Sequence, residues 1–83
     1  MKMKDLTPSN DKGQAHGYWE CYYTNGNIRY KGNYLNTKQS GLWEFYHPNS
    51  ILNSKGYYLN GDHIGLWLDY SYNGDLTHKY YIL

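Results

Sequence analysis

The chain has one cysteine, Cys21, among its 83 residues, so no internal disulfide can staple it. No set of Cys and His residues has the spacing of a zinc site, so a structural metal is not expected. Alanine occurs once, at Ala15, and glutamate twice, at Glu20 and Glu44, which is too few helix formers for a helical fold. No apolar run approaches the roughly 20 residues that span a bilayer as a helix. The opening Met1-Lys2-Met3-Lys4-Asp5 has no hydrophobic stretch behind its charges, which reads as no signal peptide. With a lone thiol, this gives the expectation of a reducing, cytoplasmic setting, or the host cytoplasm for a phage or viral product. Neither sign of charge is in excess. The formal net charge of +1 is not that of a typical nucleic-acid binder or of an acidic DNA mimic.

What is abundant is tyrosine, tryptophan and glycine. Twelve residues are Tyr and three are Trp, against one Phe. These rings favour strands, where a large apolar body packs and a polar tip reaches water. Nine glycines, with Asn-Gly at 25–26, 60–61 and 73–74, supply turns. A single small domain is expected, with a thin core resting on aromatic packing and leaving little room for a deep pocket.

The tryptophans Trp19, Trp43 and Trp67 are 24 residues apart, and other columns keep the same period. Gly17, Gly41 and Gly65 precede them. Tyr22, Tyr46 and Tyr70 follow, then Asn25, Asn49 and Asn73, then Ile28, Leu52 and Leu76. Lys31, Lys55 and Lys79 match, as do Leu35, Leu59 and Leu83. Self-similarity at such a period marks a repeat array. The units are 17–40, 41–64 and a shortened 65–83, within a repeat domain spanning 12–83. Residues 1–11 fall outside the period and read as a flexible arm or an N-terminal cap.

If each unit is a hairpin closed by a two-residue type I′ turn at its Asn-Gly, the register follows. Tyr22 faces Arg29, Cys21 faces Tyr30, Glu20 faces Lys31 and Trp19 faces Gly32. In the second unit Glu44 faces Lys55 and Trp43 faces Gly56. The Glu–Lys pairs read as ion pairs, and each Trp ring can cover the bare backbone of its cross-strand glycine. The third unit departs, with Leu68 facing Lys79 and Tyr80 opposite Trp67. One face then carries Trp19, Cys21, Tyr23, Ile28, Tyr30, Gly32 and Tyr34 and is the core face. The other carries Tyr18, Glu20, Tyr22, Arg29, Lys31 and Leu35. The predicted fold is all-β: a twisted antiparallel hairpin meander of about six to seven strands with little or no helix, joined by return loops at 36–40 and 60–64. Such a layer should curl over its core face or be covered by another copy.

The pattern Asn-Gly-x-x-x-Gly-x-Trp, Tyr-x-x-Asn-Gly, Lys-Gly-x-Tyr-x-Asn resembles the MORN repeat. More closely, it resembles the variant repeat of bacterial YwqK-like antitoxin or immunity proteins. The match runs from Gly13 through Trp19, Tyr22–Gly26 and Lys31–Asn36, and returns in the later units. Thr37 stands where the loop glycine is expected, and Ser50 where the turn glycine follows Asn49. The resemblance implies a hairpin per repeat and a non-catalytic protein-binding role, as an antitoxin, immunity protein or phage-type inhibitor of a partner protein. Relatives of this kind also imply a structural or lipid-associated scaffold.

No catalytic, cofactor or metal site is expected. His16, His47, His63 and His78 do not pair at ligand spacing, with the first and third assigned to return loops. Cys21 shares its column with Phe45 and reads as a small buried hydrophobe. The candidates for a partner surface are Tyr22, Arg29, Tyr46, Tyr57, Tyr70, Tyr72 and Tyr81, because tyrosine is enriched at interfaces. Rows of tyrosine could also stack single-stranded bases, a reading disfavoured by the near-zero charge. The final strand, with only Lys79 to blunt it, is a candidate edge for a homodimer or an added partner strand through Tyr80, Tyr81, Ile82 and Leu83.

Overall fold

A computed structural model describes residues 4–83. Six strands follow one another: β1 (Gly17–Tyr22), β2 (Ile28–Leu35), β3 (Lys38–Tyr46), β4 (Leu52–Leu59), β5 (Asp62–Tyr70) and β6 (Leu76–Ile82). They lie in chain order in a single antiparallel sheet, and no helix occurs among the described residues. This is the all-β hairpin meander that the periodicity predicts. The sheet remains one open layer, with Cα extents of 41 × 40 × 11 Å.

Two kinds of turn alternate, and of the three Asn-Gly pairs only Asn60-Gly61 forms the two-residue turn that the dipeptide rule predicts. At Asn25-Gly26 only the glycine has a positive φ, whereas a type I′ turn needs two. Tyr23 N–H instead donates to Asn27 C=O at 2.8 Å and Gly26 N–H to Tyr23 C=O at 2.9 Å, closing a three-residue loop with a left-handed third residue. His47–Ile51 and Ser71–Asp75 repeat the pattern. The extra loop residue shifts the register beyond Cys21, so Tyr22 pairs with Ile28 and not with Arg29. The same shift pairs Tyr46 with Leu52 and Tyr70 with Leu76. Ile28 therefore joins the face of Tyr22 instead of the core face. The two-residue turns are the connections between units, Asn36-Thr37 and Asn60-Gly61, where both residues have positive φ. The return loops thus shrink to two residues, and His63 lies in β5 rather than in a loop.

The core is a ladder of rings on one face. Glycines Gly32 and Gly56 lie between tryptophans of successive hairpins, and the ring that covers each comes from the following unit, not from its own. A Cβ at Gly32 would sit 2.2 Å from the Trp43 ring, and one at Gly56 would sit 2.1 Å from Trp67. Tyrosines stand edge-on between the indoles. Tyr34 meets Trp19 at 4.8 Å and Trp43 at 5.0 Å, while Tyr58 meets Trp43 at 6.1 Å and Trp67 at 5.2 Å between centroids. Edge-to-face pairs suit the ring quadrupoles. Trp43, at the centre, is 1% exposed although no second layer covers it. Flat rings lying on glycine backbone bury Trp43 within the single layer.

Each indole N–H also finds an acceptor. At Gly41 and Gly65, both with positive φ and open space around them, the strand bulges and shifts register against its neighbour. Trp43 then donates to Asn33 C=O at 2.9 Å and Trp67 to Tyr57 C=O at 3.2 Å. Trp19 donates to Pro8 C=O at 2.9 Å, from a segment lying along the outer edge of β1. There Leu6 and Glu20 exchange backbone hydrogen bonds of 2.8 and 2.9 Å. Residues 1–3 of the N-terminal arm lie outside the described residues. Cys21 is buried as a free thiol.

Candidate interaction surface

The face opposite the tryptophans is organised in rows that cross the strands. Register places Glu20, Lys31, Glu44, Lys55, Leu68 and Lys79 side by side from β1 to β6. Two residues to one side of that row, Tyr18 faces Asn33, Leu42 faces Tyr57 and Leu66 faces Tyr81. On the other side stand Tyr22 with Ile28, Tyr46 with Leu52 and Tyr70 with Leu76. A charged row therefore runs between two rows of tyrosine and aliphatic side chains. The first of these rows is the more open to water: Leu42 is 42% exposed, Tyr57 49%, Leu66 39% and Tyr81 69%.

The electrostatics within the charged row differ from simple cross-strand pairing. Glu20 sits opposite Lys31, but its carboxylate accepts from the hydroxyls of Tyr18, at 2.7 Å, and Tyr22. Lys31 instead reaches across to the next hairpin, 3.7 Å from Glu44, with the Tyr46 ring centre 5.9 Å from its ammonium. The expected ion pairs within hairpins are thus replaced by one between hairpins. Glu44, engaged there, forms no ion pair with Lys55. The two tyrosine donors hold the Glu20 carboxyl below its ordinary range, Tyr22 contributing most. Tyr18 is pushed up to about 12, first by burial and then by its bond to Glu20.

Of the residues singled out from sequence, Tyr22, Tyr46, Tyr57, Tyr70 and Tyr81 come together on this face. Arg29 does not. It is the residue left over at the register shift, and its guanidinium lies 5.9 Å from the Tyr23 ring centre and 5.8 Å from that of Tyr30. Tyr72 belongs to the β5–β6 turn, 5.3 Å from the His47 ring and away from the rows. The edge candidates divide. Tyr80 and Ile82 point to the tryptophan side, opposite Trp67 and Gly65, and Tyr81 shares the row of Leu66. Leu83 follows the end of β6. Tyr18 was expected on this face but, like Leu42 and Leu66, not as a partner candidate, although the three form a column at the same period and each precedes a Trp of the core face.

The histidines have structural partners. His16 Nδ1 accepts from Asn36 N–H at 3.1 Å, His47 Nε2 contacts Tyr70 C=O at 3.0 Å, and His63 Nε2 contacts the Tyr58 hydroxyl at 3.0 Å. His78 lies 3.9 Å from Asp69. Among the described residues no group of three His, Cys, Asp or Glu converges as a metal site.

The match to the MORN repeat variant covers residues 15–36 and 39–60, more than half of the chain. The chain belongs to this family. Each matched stretch ends on the asparagine of a two-residue turn, so one MORN variant repeat is one hairpin, β1–β2 or β3–β4. The β5–β6 hairpin, with Leu68 and Tyr80, lies beyond the matched residues. Comparison with curated proteins and with solved structures returned no significant match.

Proposed function

We propose that this MORN variant chain is a non-catalytic protein-binding module, of the kind that neutralises a toxin, effector or host factor by covering part of it. The observation that carries this reading is the open face itself. Leu42, Tyr57, Leu66 and Tyr81 stand exposed side by side on a sheet whose other face already holds the core. Contiguous exposed apolar surface rimmed by charge is characteristic of interaction sites, and tyrosine binds at low entropic cost. Base stacking is the weaker reading, because cations and carboxylates alternate along the row and would repel as well as attract phosphate.

Affinity capture from the cells that make the protein tests this, with wild type, Tyr57→Lys and Lys12→Glu as baits. One protein retained by wild type and Lys12→Glu but lost by Tyr57→Lys is the expected result. Its activity should fall when wild type is added. Capture indifferent to Tyr57→Lys, or a captured protein whose activity is unchanged, overturns the reading.

A further inference from the structure

Two grooves on the open face are repeat equivalents of one another. The first is lined by Tyr18, Lys31, Gly32, Asn33, Leu42 and Glu44, and the second by Leu42, Lys55, Gly56, Tyr57, Leu66 and Leu68. Every lining residue of the second is the residue 24 positions after one in the first. Their volumes are alike, about 300 and 280 Å³. Their chemistry is not. From the first groove to the second, Tyr18 becomes Leu42, Asn33 becomes Tyr57 and Glu44 becomes Leu68. Each change lowers polarity, and the last removes the only carboxylate.

Removing it changes the charge balance as well as the hydrophobicity. In the first groove Lys31 is held by Glu44 at 3.7 Å. In the second, Leu68 stands between Lys55 and Lys79, and neither lysine joins an ion pair among the described residues. Glu44 stands across the strand pair from Lys55 but is engaged by Lys31, and the other nearby acids are placed elsewhere. Asp69 is on the tryptophan side opposite Ser54 and His78, Asp62 lies at the rim opposite Leu59, and Asp75 is in a turn. The two lysines straddle β5, roughly 10 Å apart by the ordinary strand spacing.

From this we infer that the second groove is the docking site for an acidic segment of the partner protein, one whose carboxylates flank an apolar anchor. The inference rests on the protein-binding reading above and names its chemistry. The anchor, a leucine or phenylalanine, lies over Gly56 between Leu42, Tyr57, Leu66 and Leu68. The carboxylates meet Lys55 and Lys79. The first groove, with its lysine neutralised in place, serves as the protein's own contrast.

The test uses three labelled peptides in fluorescence anisotropy: one alternating Asp with Leu and Phe, a twin with Lys for Asp, and a neutral twin with Ser. Wild type should bind the acidic peptide at least about ten-fold more tightly than either twin, more weakly as salt rises. Leu68→Glu restores the residue of its column and should fold at least as stably, yet lose the acidic peptide. The double variant Asn33→Tyr, Glu44→Leu converts the first groove and should raise the stoichiometry from one peptide to two. Equal binding of all three peptides, or full binding by Leu68→Glu, overturns the proposal. So does a stoichiometry unmoved by the double variant. Leu68→Glu as a capture bait separates the two readings. A cellular partner still held by Leu68→Glu but lost by Tyr57→Lys leaves the open face standing and removes the acidic-segment inference.

Discussion

A methyl group added to Gly32 or Gly56 would have to occupy the space of an indole, 2.2 or 2.1 Å from its ring carbons. The ring cannot yield without leaving the backbone it covers, so Gly32→Ala and Gly56→Ala should each cost about 3 kcal/mol. Gly41→Ala meets nothing within 4 Å and is strained only by its φ of 78°, so it should cost roughly 1–2 kcal/mol. Urea midpoints of the three variants decide the matter. A Gly32→Ala penalty no larger than that of Gly41→Ala would mean that Trp on Gly does not organise the core. The sequence made the Trp–Gly pairing legible but not which Trp covers which Gly. A hairpin rule sees one neighbour of each strand, whereas Gly32 pairs with both Trp19 and Trp43. The Tyr18–Glu20–Tyr22 group was hidden for a related reason, because spacing alone offered Lys31 as the natural partner. Its pH signature is specific. Tyr18 titrates at about 12 instead of 10.0, so its protonated hydroxyl stabilises the fold fully below pH 10, and that contribution is lost as the pH climbs towards 12. The lowered Glu20 carboxyl contributes above its ordinary value, and the contribution is lost as the pH falls through the lowered one. In Glu20→Gln the phenolate absorbance titration of Tyr18 should move only part of the way back, because burial is the larger cause. The acid-side loss of stability should shrink in the same variant.

Between elements, the asparagine at each far turn has two tasks. Asn25 accepts from Asn27 N–H at 2.9 Å, shaping its own loop, and donates to Pro48 C=O at 2.9 Å in the next unit's loop. Asn49 does the same with Ile51 and with Tyr72 C=O. Asn73 shapes its own loop through Asp75 N–H and bonds to no other loop among the described residues. Asn49→Ala should therefore cost about 1 kcal/mol more than Asn73→Ala, the worth of one net hydrogen bond. Equal losses in thermal or urea unfolding would show that the bonds between loops contribute nothing. Thr37, in the turn at the other end of the sheet with φ of 81°, and Ser50, beside Asn49 in the far turn with φ of 75°, occupy positions that glycine fills without strain. Thr37→Gly and Ser50→Gly should each stabilise by roughly 1 kcal/mol, the left-handed penalty less glycine's entropic cost. Strands and their order were legible because period-2 alternation and a 24-residue repeat both survive small errors of register. Turn types were not, because Asn-Gly serves a type I′ turn and a left-handed third loop residue equally well. The one-residue difference moves Ile28 across the sheet and takes Arg29 out of the row.

Across the whole molecule, each hairpin touches only its neighbours, and the single layer has no second sheet to coordinate them. Stability in such an array is a sum of unit terms and interface terms. The open face follows the same logic. Its rows were legible in the columns of the repeat, whereas the chemical difference between its two grooves lies in the columns that change, Glu44 to Leu68 and Asn33 to Tyr57 above all. Those breaks acquire meaning only when register sets Leu68 between two lysines. The additive picture makes a demanding prediction. A second copy of residues 41–64 inserted after Ile64 keeps every column in phase. A new tryptophan equivalent to Trp43 then lands on Gly56, and Trp67 lands on the new unit's glycine. The clamps pass on in step, since the Tyr23 hydroxyl already bonds Tyr46 C=O at 2.5 Å and His47 bonds Tyr70 C=O one unit later. The product should be an eight-stranded sheet with a higher urea midpoint and a steeper unfolding slope, because more surface is exposed on unfolding. Inserting the same segment with four residues removed puts tryptophans opposite occupied strands and should lower the midpoint below wild type. If both insertions destabilise alike, the stacking of Trp on the preceding unit's glycine is not transferable. The sheet would then be held by contacts particular to its three hairpins rather than by the repeat.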